Sequence, residues 1–192
     1  SKVAEDSTAD ESKHVLKLQA RYARGILNYQ LNNFDAAIND LEAVKADVEF
    51  TGRFKAYESN IIEKLALSYS KTGKKETALE MINSLIANAP TDSAKGSYYA
   101  TISNIYYESG DYQKAIESAN NVISRPEISD EIKVNSFITL SQSYKALNMM
   151  EKSAEVLIEA SDKYPQSDEI PAVLYSLAAL YFDSGEYEKA AD

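Results

Sequence analysis

Apolar residues recur along most of this chain at intervals of three and four residues, the period of an α-helix with one buried face. A clear example is the series Ile62, Leu65, Ala66 and Tyr69. Six Gly and four Pro are all that punctuate the chain, so the stretches between them are long. These stretches show helical periodicity rather than the alternating periodicity that would indicate strands. The pattern therefore predicts an all-α fold.

A short motif recurs five times, each time between two helical stretches. Three copies contain a glycine, at Gly73, Gly110 and Gly185, and two contain an asparagine, at Asn32 and Asn148. Gly and Asn are the residues that tolerate the left-handed conformation at a helix end. The five turn residues are separated by 41, 37, 38 and 37 residues. This spacing predicts five pairs of helices, each with its turn at one of these positions.

The first helix of each pair has a small residue in the middle of its apolar face. These residues are Gly25, Ala66, Ser103, Ser141 and Ala178. A small side chain at this point permits close approach of a second helix. The later second helices end near Pro90, Pro126 and Pro165, because proline stops a helix. One pair cannot bury its apolar face alone, so neighbouring pairs are expected to stack.

These residues resemble the tetratricopeptide repeat, from about residue 13 to the end of the chain. In that family a small residue and a Tyr precede the turn, an Ala follows it and a Pro closes the second helix. The Tyr is present at Tyr69, Tyr106, Tyr144 and Tyr181, the Ala at Ala37, Ala78, Ala115 and Ala190, and the Pro at Pro90 and Pro165. Ser153 replaces the Ala in the fourth copy, and Glu49 stands in place of the first Pro. The resemblance implies a right-handed α-solenoid of stacked antiparallel helix pairs.

The predicted organisation is a polar lead followed by a single array of repeats. The lead covers residues 1–12 and is either disordered or the start of the first helix. The array covers residues 13–192 and contains about five repeats, of which the last is incomplete. The second helix of that repeat has only about five residues before Asp192, so we expect the sequence to be a piece of a longer protein.

The net charge of −10 restricts the class of partner. Nearly all of it comes from residues 97–192, which contain 16 acidic and 7 basic residues. Acidity disfavours nucleic acid and anionic lipid and favours a basic partner, although a solvated acidic surface explains the same charge. The longest near-continuous apolar stretch, residues 170–182, is shorter than the roughly 20 residues that span a membrane. We therefore expect no nucleic acid and no membrane insertion.

The chain has almost none of the Cys and His residues on which many catalytic and metal sites depend. It contains no Cys and one His, His14, which excludes thiolate chemistry and Cys/His zinc sites. His14 itself is expected to be solvated or to cap a helix. The turn Ser109-Gly110-Asp111 lacks the ligand pattern of a calcium loop, and Gly73-Lys74 lacks the earlier glycine of a phosphate loop. The sequence predicts a protein without catalytic activity, metal or cofactor.

The resemblance implies a protein–protein interaction scaffold that binds a peptide or protein segment in a concave groove lined by first helices. The candidate groove residues lie one helical face away from the packing face. They are Tyr22, Ile26, Tyr29, Asn104, Tyr107, Gln142, Tyr175 and Phe182. Aromatic rings there would supply contact area at low entropic cost, or would only cover the edges of helix packing.

Two other functions stay open at this point. The chain could be a self-assembling structural repeat protein that forms a homo-oligomer through the exposed ends of the array. It could also be the recruiting segment of a larger multidomain protein. The series Tyr164-Pro165-Gln166-Ser167 resembles the subgroup of bacterial cell-envelope assembly proteins, which favours the periplasm or envelope and leaves the cytoplasm open.

Overall fold

A computed structural model describes the main chain of residues 2–52 and 55–191, and the side chains of residues 11–48, 51–52 and 55–190. Within these ranges the chain forms ten α-helices, a 3₁₀ turn at Lys55–Tyr57 and no β-strand. The helices are α1 (Lys2–Gln30), α2 (Phe34–Thr51), α3 (Glu58–Lys71), α4 (Lys75–Ala87), α5 (Asp92–Glu108), α6 (Tyr112–Ile123), α7 (Asp130–Ala146), α8 (Met150–Lys163), α9 (Ile170–Asp183) and α10 (Tyr187–Ala191). Odd-numbered helices are the first helices of the predicted pairs, and even-numbered helices are the second.

The five predicted turns are confirmed by their backbone geometry. The angle φ is positive at each, with values of 60° at Asn32, 81° at Gly73, 79° at Gly110, 58° at Asn148 and 80° at Gly185. The residue after each turn residue donates its N–H to the carbonyl five positions earlier, at 2.8–2.9 Å. A hydrogen bond that spans five residues in this way belongs to the Schellman motif, which needs a residue in the left-handed conformation. The same local chemistry therefore ends all five first helices.

The small residues of the first helices lie in close contacts with the second helices, as predicted. A Cβ atom added at Gly25 would be 2.8 Å from two side-chain carbons of Leu41 in α2. The Ser103 hydroxyl donates to the carbonyl of Ala115 in α6, at 3.0 Å. Contacts join α1 to α2, α5 to α6, α7 to α8 and α9 to α10 across their short turns, so the two helices of each of these pairs are antiparallel. The predicted all-α fold of stacked helix pairs is confirmed.

The residues up to Met81 form one compact unit. Its core contains Leu41, Val44 and Val48 of α2 together with Ile61 and Leu65 of α3. Helix α2 ends at Gly52, which has φ of 69° and donates its N–H to the carbonyl of Val48. The first copy, which has Glu49 in place of the family's proline, therefore ends its second helix with a left-handed glycine instead.

The residues from Ile82 onward form a second compact unit. Its main apolar cluster is built on α6, α7, α8 and α9, with Phe137 and Leu157 among its largest fully buried side chains. Helix α7 contacts α5, α6, α8 and α9. First helices surrounded in this way are also buried on a side other than the predicted packing face, through side chains that include Ile105, Val173 and Leu180. Leu174 of α9, which the repeat pattern places on the packing face, is instead 50% exposed.

The boundary between the two units lies within α4, between Met81 and Ile82. The single array predicted over residues 13–192 therefore stays a prediction. For the polar lead, helix α1 begins at Lys2, so the main chain of residues 2–12 is helical.

Candidate partner-binding surfaces

In the first unit, the candidate residues Tyr22, Ile26 and Tyr29 are half-buried along one face of α1. The Tyr22 hydroxyl donates to Oδ1 of Asn60, at 2.9 Å, and its ring centroid lies 5.5 Å from that of Tyr57. Burial, with a smaller contribution from Tyr57, raises the pKa of Tyr22. Tyr22 and Ile26 also pack against the core of the unit. These side chains therefore support the packing of α1 on α3 and its preceding turn, whatever else they contact.

Three candidate rings share a contact that the sequence analysis did not identify. Tyr29, Tyr107 and Phe182 each lie three residues before a turn residue, and each packs against an aromatic ring two residues after it. The pairs are Tyr29 with Phe34, Tyr107 with Tyr112, and Phe182 with Tyr187, with centroid distances of 6.0, 5.8 and 5.4 Å. The signal was present in the sequence, because aromatic residues occupy both positions in the first, third and fifth copies.

In the second unit, the candidate residues lie on three first helices. Asn104 and Tyr107 are on α5, Gln142 is on α7, and Tyr175 and Phe182 are on α9. Helix α7 contacts both α5 and α9, so the structure brings these three rows of side chains side by side. We call this set of five residues the first-helix surface.

Two polar contacts connect neighbouring first helices at the first-helix surface. Thr139 of α7 donates its hydroxyl to Oδ1 of Asn104, at 2.7 Å. Lys145 of α7 donates to a carboxylate oxygen of Asp183 in α9, at 2.6 Å. The second pair is partly exposed to solvent, so it contributes little to stability and mainly orients its two side chains.

The exposure of the first-helix surface differs from residue to residue. Asn104 and Gln142 are exposed, whereas Tyr107 is half-buried and burial raises its pKa. The two rings on α9 are the most open, with 78% of Tyr175 and 63% of Phe182 accessible to solvent. They are seven residues apart and therefore on the same side of the helix. The arrangement is an exposed aromatic edge on α9, with an exposed amide side chain on each of the two first helices before it, α7 and α5.

A second feature of this unit is an acidic cleft of about 630 Å³ between the start of α7 and the loop from α8 to α9. Its lining includes the carboxylates of Asp130, Glu131, Asp168 and Glu169 and the ring of Tyr164. Burial, and then the charge of Asp130, raise the pKa of Tyr164. The lining also contains one ammonium group, that of Lys163, so its net charge is negative and suits a positively charged side chain rather than an anion.

The described residues include the single histidine of the sequence. His14 lies against Asp47 of α2, with 2.6 Å between Nε2 and Oδ2, and is partly exposed. Among the described side chains, no group of three His, Asp or Glu residues is placed to hold a metal ion. None of the described helices has the length and apolar character needed to cross a membrane.

The chain is similar to known proteins in its repeats and in its fold. Three segments match models of the tetratricopeptide repeat, at residues 63–92, 96–127 and 171–192. No curated protein matched the chain. One similar structure is that of a kinesin-light-chain-like protein of Podosopora anserina with nearly identical TPR-like repeats. It has 19% sequence identity and a TM-score of 0.65, and the match covers 91% of this chain and 90% of that one.

Two further structures have a similar fold. A Rap protein complexed with Competence and Sporulation Factor has 14% identity and a TM-score of 0.70, over 92% of this chain and 51% of that one. A thermophilic TPR protein of Thermus thermophilus has 18% identity and a TM-score of 0.59, over 90% of this chain and 86% of that one. At these identities the likeness shows the fold alone.

Proposed function

This chain is a tetratricopeptide repeat protein, and we propose that it is a non-catalytic scaffold that binds a peptide or protein segment on its first-helix surface. The family is typically non-catalytic, and its repeats support a role in protein interaction. The observation that carries the proposal is the exposure of Tyr175 and Phe182 on one side of α9. Exposed aromatic rings next to polar groups are the composition of protein-binding surfaces.

The polar neighbours of these rings suit the main chain of a bound segment. The hydroxyl of Thr139 bonds the amide oxygen of Asn104, which orients that side chain. The amide nitrogen of Asn104 is then a donor for a carbonyl group of the partner. Gln142 supplies a second exposed amide on the next first helix. Rings would therefore provide most of the affinity, and the amides would fix the register of the segment.

The expected partner is a segment with net positive charge. The second unit contains most of the acidic excess, and its cleft between α7 and the loop from α8 to α9 is lined by four carboxylates. A similar fold, the Rap protein, has been solved in complex with Competence and Sporulation Factor, which supports binding as the use of such an array. The net charge of −10 supports the exclusion of nucleic acid as a partner.

The prediction of a location in the cell rests on four consecutive residues alone. Tyr164-Pro165-Gln166-Ser167 closes α8 and forms part of the loop before α9. Its resemblance to bacterial cell-envelope repeats is the support for a bacterial source and a periplasmic or envelope location, which stay predictions.

Selection of binding peptides from a random library, followed by calorimetry on the best binder, tests the proposal. Tyr175→Ser should weaken binding by about thirtyfold or more, the loss typical of an interface anchor. Leu147→Ser is the matched control, because Leu147 is also an exposed apolar residue but lies at the turn between α7 and α8, outside the first-helix surface. Urea unfolding should be similar for both variants. Equal affinity of the Tyr175→Ser variant and the wild type would show that the first-helix surface is not the binding site.

A further inference from the structure

Helix α1 has a second apolar stripe on the side away from the core. It consists of Leu16, Ala20, Ala23 and Leu27, which are all exposed and are spaced by four, three and four residues. This is the spacing of a seam between two packed helices. The buried residues Leu18 and Gly25 lie on the other side of the helix. We call these four exposed residues the α1 seam.

One edge of the α1 seam is basic. Lys13, Lys17 and Arg24 follow it at intervals of four and seven residues, whereas the opposite edge has the uncharged Gln19 and Gln30. The carboxylate of Asp40 in α2 accepts two hydrogen bonds from Arg24, at 2.5 and 2.7 Å. Arg21 lies 3.7 Å from the same carboxylate. Arg21 and Arg24 are therefore held by α2, whereas the side chains of Lys13 and Lys17 are exposed beside the seam.

In the second unit, an apolar groove of about 270 Å³ lies between α8 and α9. Its lining includes Ala154 and Ile158 of α8 and Leu180 of α9. Glu151 and Glu155, spaced by four residues, stand along its α8 edge and are exposed. Glu186 and Lys189 also line the groove, so its three carboxylates and one ammonium group give it a net charge opposite to that of the basic edge of the α1 seam.

We propose that the α1 seam of one molecule packs into the α8–α9 groove of a second copy of this chain. The seam runs about 17 Å along its helix and the groove about 12 Å from Met150 to Ile158, so their lengths are comparable. Lys13 and Lys17 have the same four-residue spacing as Glu151 and Glu155, which permits two ion pairs across the contact.

Charge favours the contact of a seam with a groove over the contact of two seams or of two grooves. Two α1 seams in contact would bring basic edges together, and two grooves would bring carboxylates together. A contact between unlike surfaces leaves the groove of one molecule and the seam of the other unused, so association continues into a ring or an open chain. This self-association goes beyond the proposed function, because it uses neither Tyr175 nor Asn104.

Sedimentation of the chain over a range of concentrations and salt tests the contact. We expect species larger than the monomer that increase with protein concentration and decrease with added salt. Ala23→Glu should abolish association by placing a carboxylate in the seam. Ala46→Glu is the matched control, since Ala46 is exposed on α2 and outside the seam. Tyr175→Ser should leave association unchanged, which separates this test from that of the partner-binding surface.

A charge exchange identifies the two surfaces that meet. Lys17→Glu and Glu155→Lys should each weaken association about tenfold or more, because each brings like charges together. An equimolar mixture of the two variants should associate again, since every contact in it can join opposite charges. A monomeric wild type at about 1 mM would overturn the proposal. So would association that Ala23→Glu abolishes but Glu155→Lys leaves intact, because α1 would then pack on another surface.

Discussion

The hydroxyl oxygens of Ser141 and Ser153 lie 2.8 Å apart in the buried contact between α7 and α8. Ser153 also donates to the main-chain carbonyl of Ser141, at 2.9 Å. The other copies of the repeat have an Ala at the position of Ser153. Ser153 therefore departs from the repeat pattern where the small residue of the same copy, Ser141, is also a serine and can hydrogen-bond to it.

Replacing Ser153 with Ala should destabilise the protein more than replacing both serines. The single variant leaves the buried Ser141 hydroxyl without its partner, at a cost of about 1–3 kcal/mol. The Ser141→Ala, Ser153→Ala double variant removes both polar groups and should have a free energy of unfolding near that of the wild type. Urea unfolding of the wild type, the Ser141→Ala and Ser153→Ala single variants and the double variant measures these effects. A double variant that loses the sum of the two single effects would contradict this interpretation.

Gly25→Ala should destabilise the first unit although alanine favours helix formation. The added Cβ would be 2.8 Å from Cγ and Cδ2 of Leu41, which is completely buried. Overpacking of this kind costs about 1–3 kcal/mol, which exceeds the gain of up to about 1 kcal/mol in helix propensity. In a Leu41→Ala background the same substitution should cost less, because the clashing atoms are absent. Equal losses in the two backgrounds, measured by urea unfolding, would show that this contact is not the cause.

The ion pair of Asp40 with Arg24 should make stability depend on pH. Hydrogen bonds from Arg24 lower the pKa of the Asp40 carboxyl below its ordinary value, against the opposing effect of burial. Such a group stabilises the folded state above its unfolded pKa of about 4, and this stabilisation is lost as the pH falls through the folded pKa.

Asp40→Asn should therefore lower the free energy of unfolding by about 1–2 kcal/mol at neutral pH, a value reduced because the Arg24 side chain is largely exposed. The difference from the wild type should shrink on acidification. Urea unfolding from about pH 7 to about pH 3 measures it. A difference that stays constant over this range would mean that the carboxylate charge is not responsible.

The turns could be predicted from the sequence because their geometry restricts the choice of residue. A positive φ at Asn148 or Gly110 admits few side chains, so the position is visible without any knowledge of tertiary contacts. The width of the buried face could not be predicted in the same way. Ile105 and Leu180 are buried because α5 packs on both α6 and α7, and α9 on α7, α8 and α10, and the period of one helix does not report its number of neighbours.

The candidate site was predictable only as a set of helix positions. The helical period places Tyr175 and Phe182 on one side of α9, and the structure shows both exposed. It does not reveal that Tyr22 bonds Asn60, a residue 38 positions later. Contacts over such a distance depend on how one pair of helices packs on the next, which is set by tertiary structure rather than by a local pattern. The division of the chain after Met81 is likewise not marked by any change in the repeat.

Tyr107 and Tyr175 should respond differently to replacement by Ala. Tyr107→Ala removes the ring contact with Tyr112 and should cost about 1 kcal/mol of stability, whereas Tyr175 is 78% exposed and should change stability by less than about 0.5 kcal/mol. If both rings contact the partner, both variants lose affinity in calorimetry. Tyr112→Ala is the control, since it removes the same ring pair and should lower stability alone. An equal loss of affinity in the Tyr112→Ala and Tyr107→Ala variants would show that Tyr107 supports the surface without touching the partner.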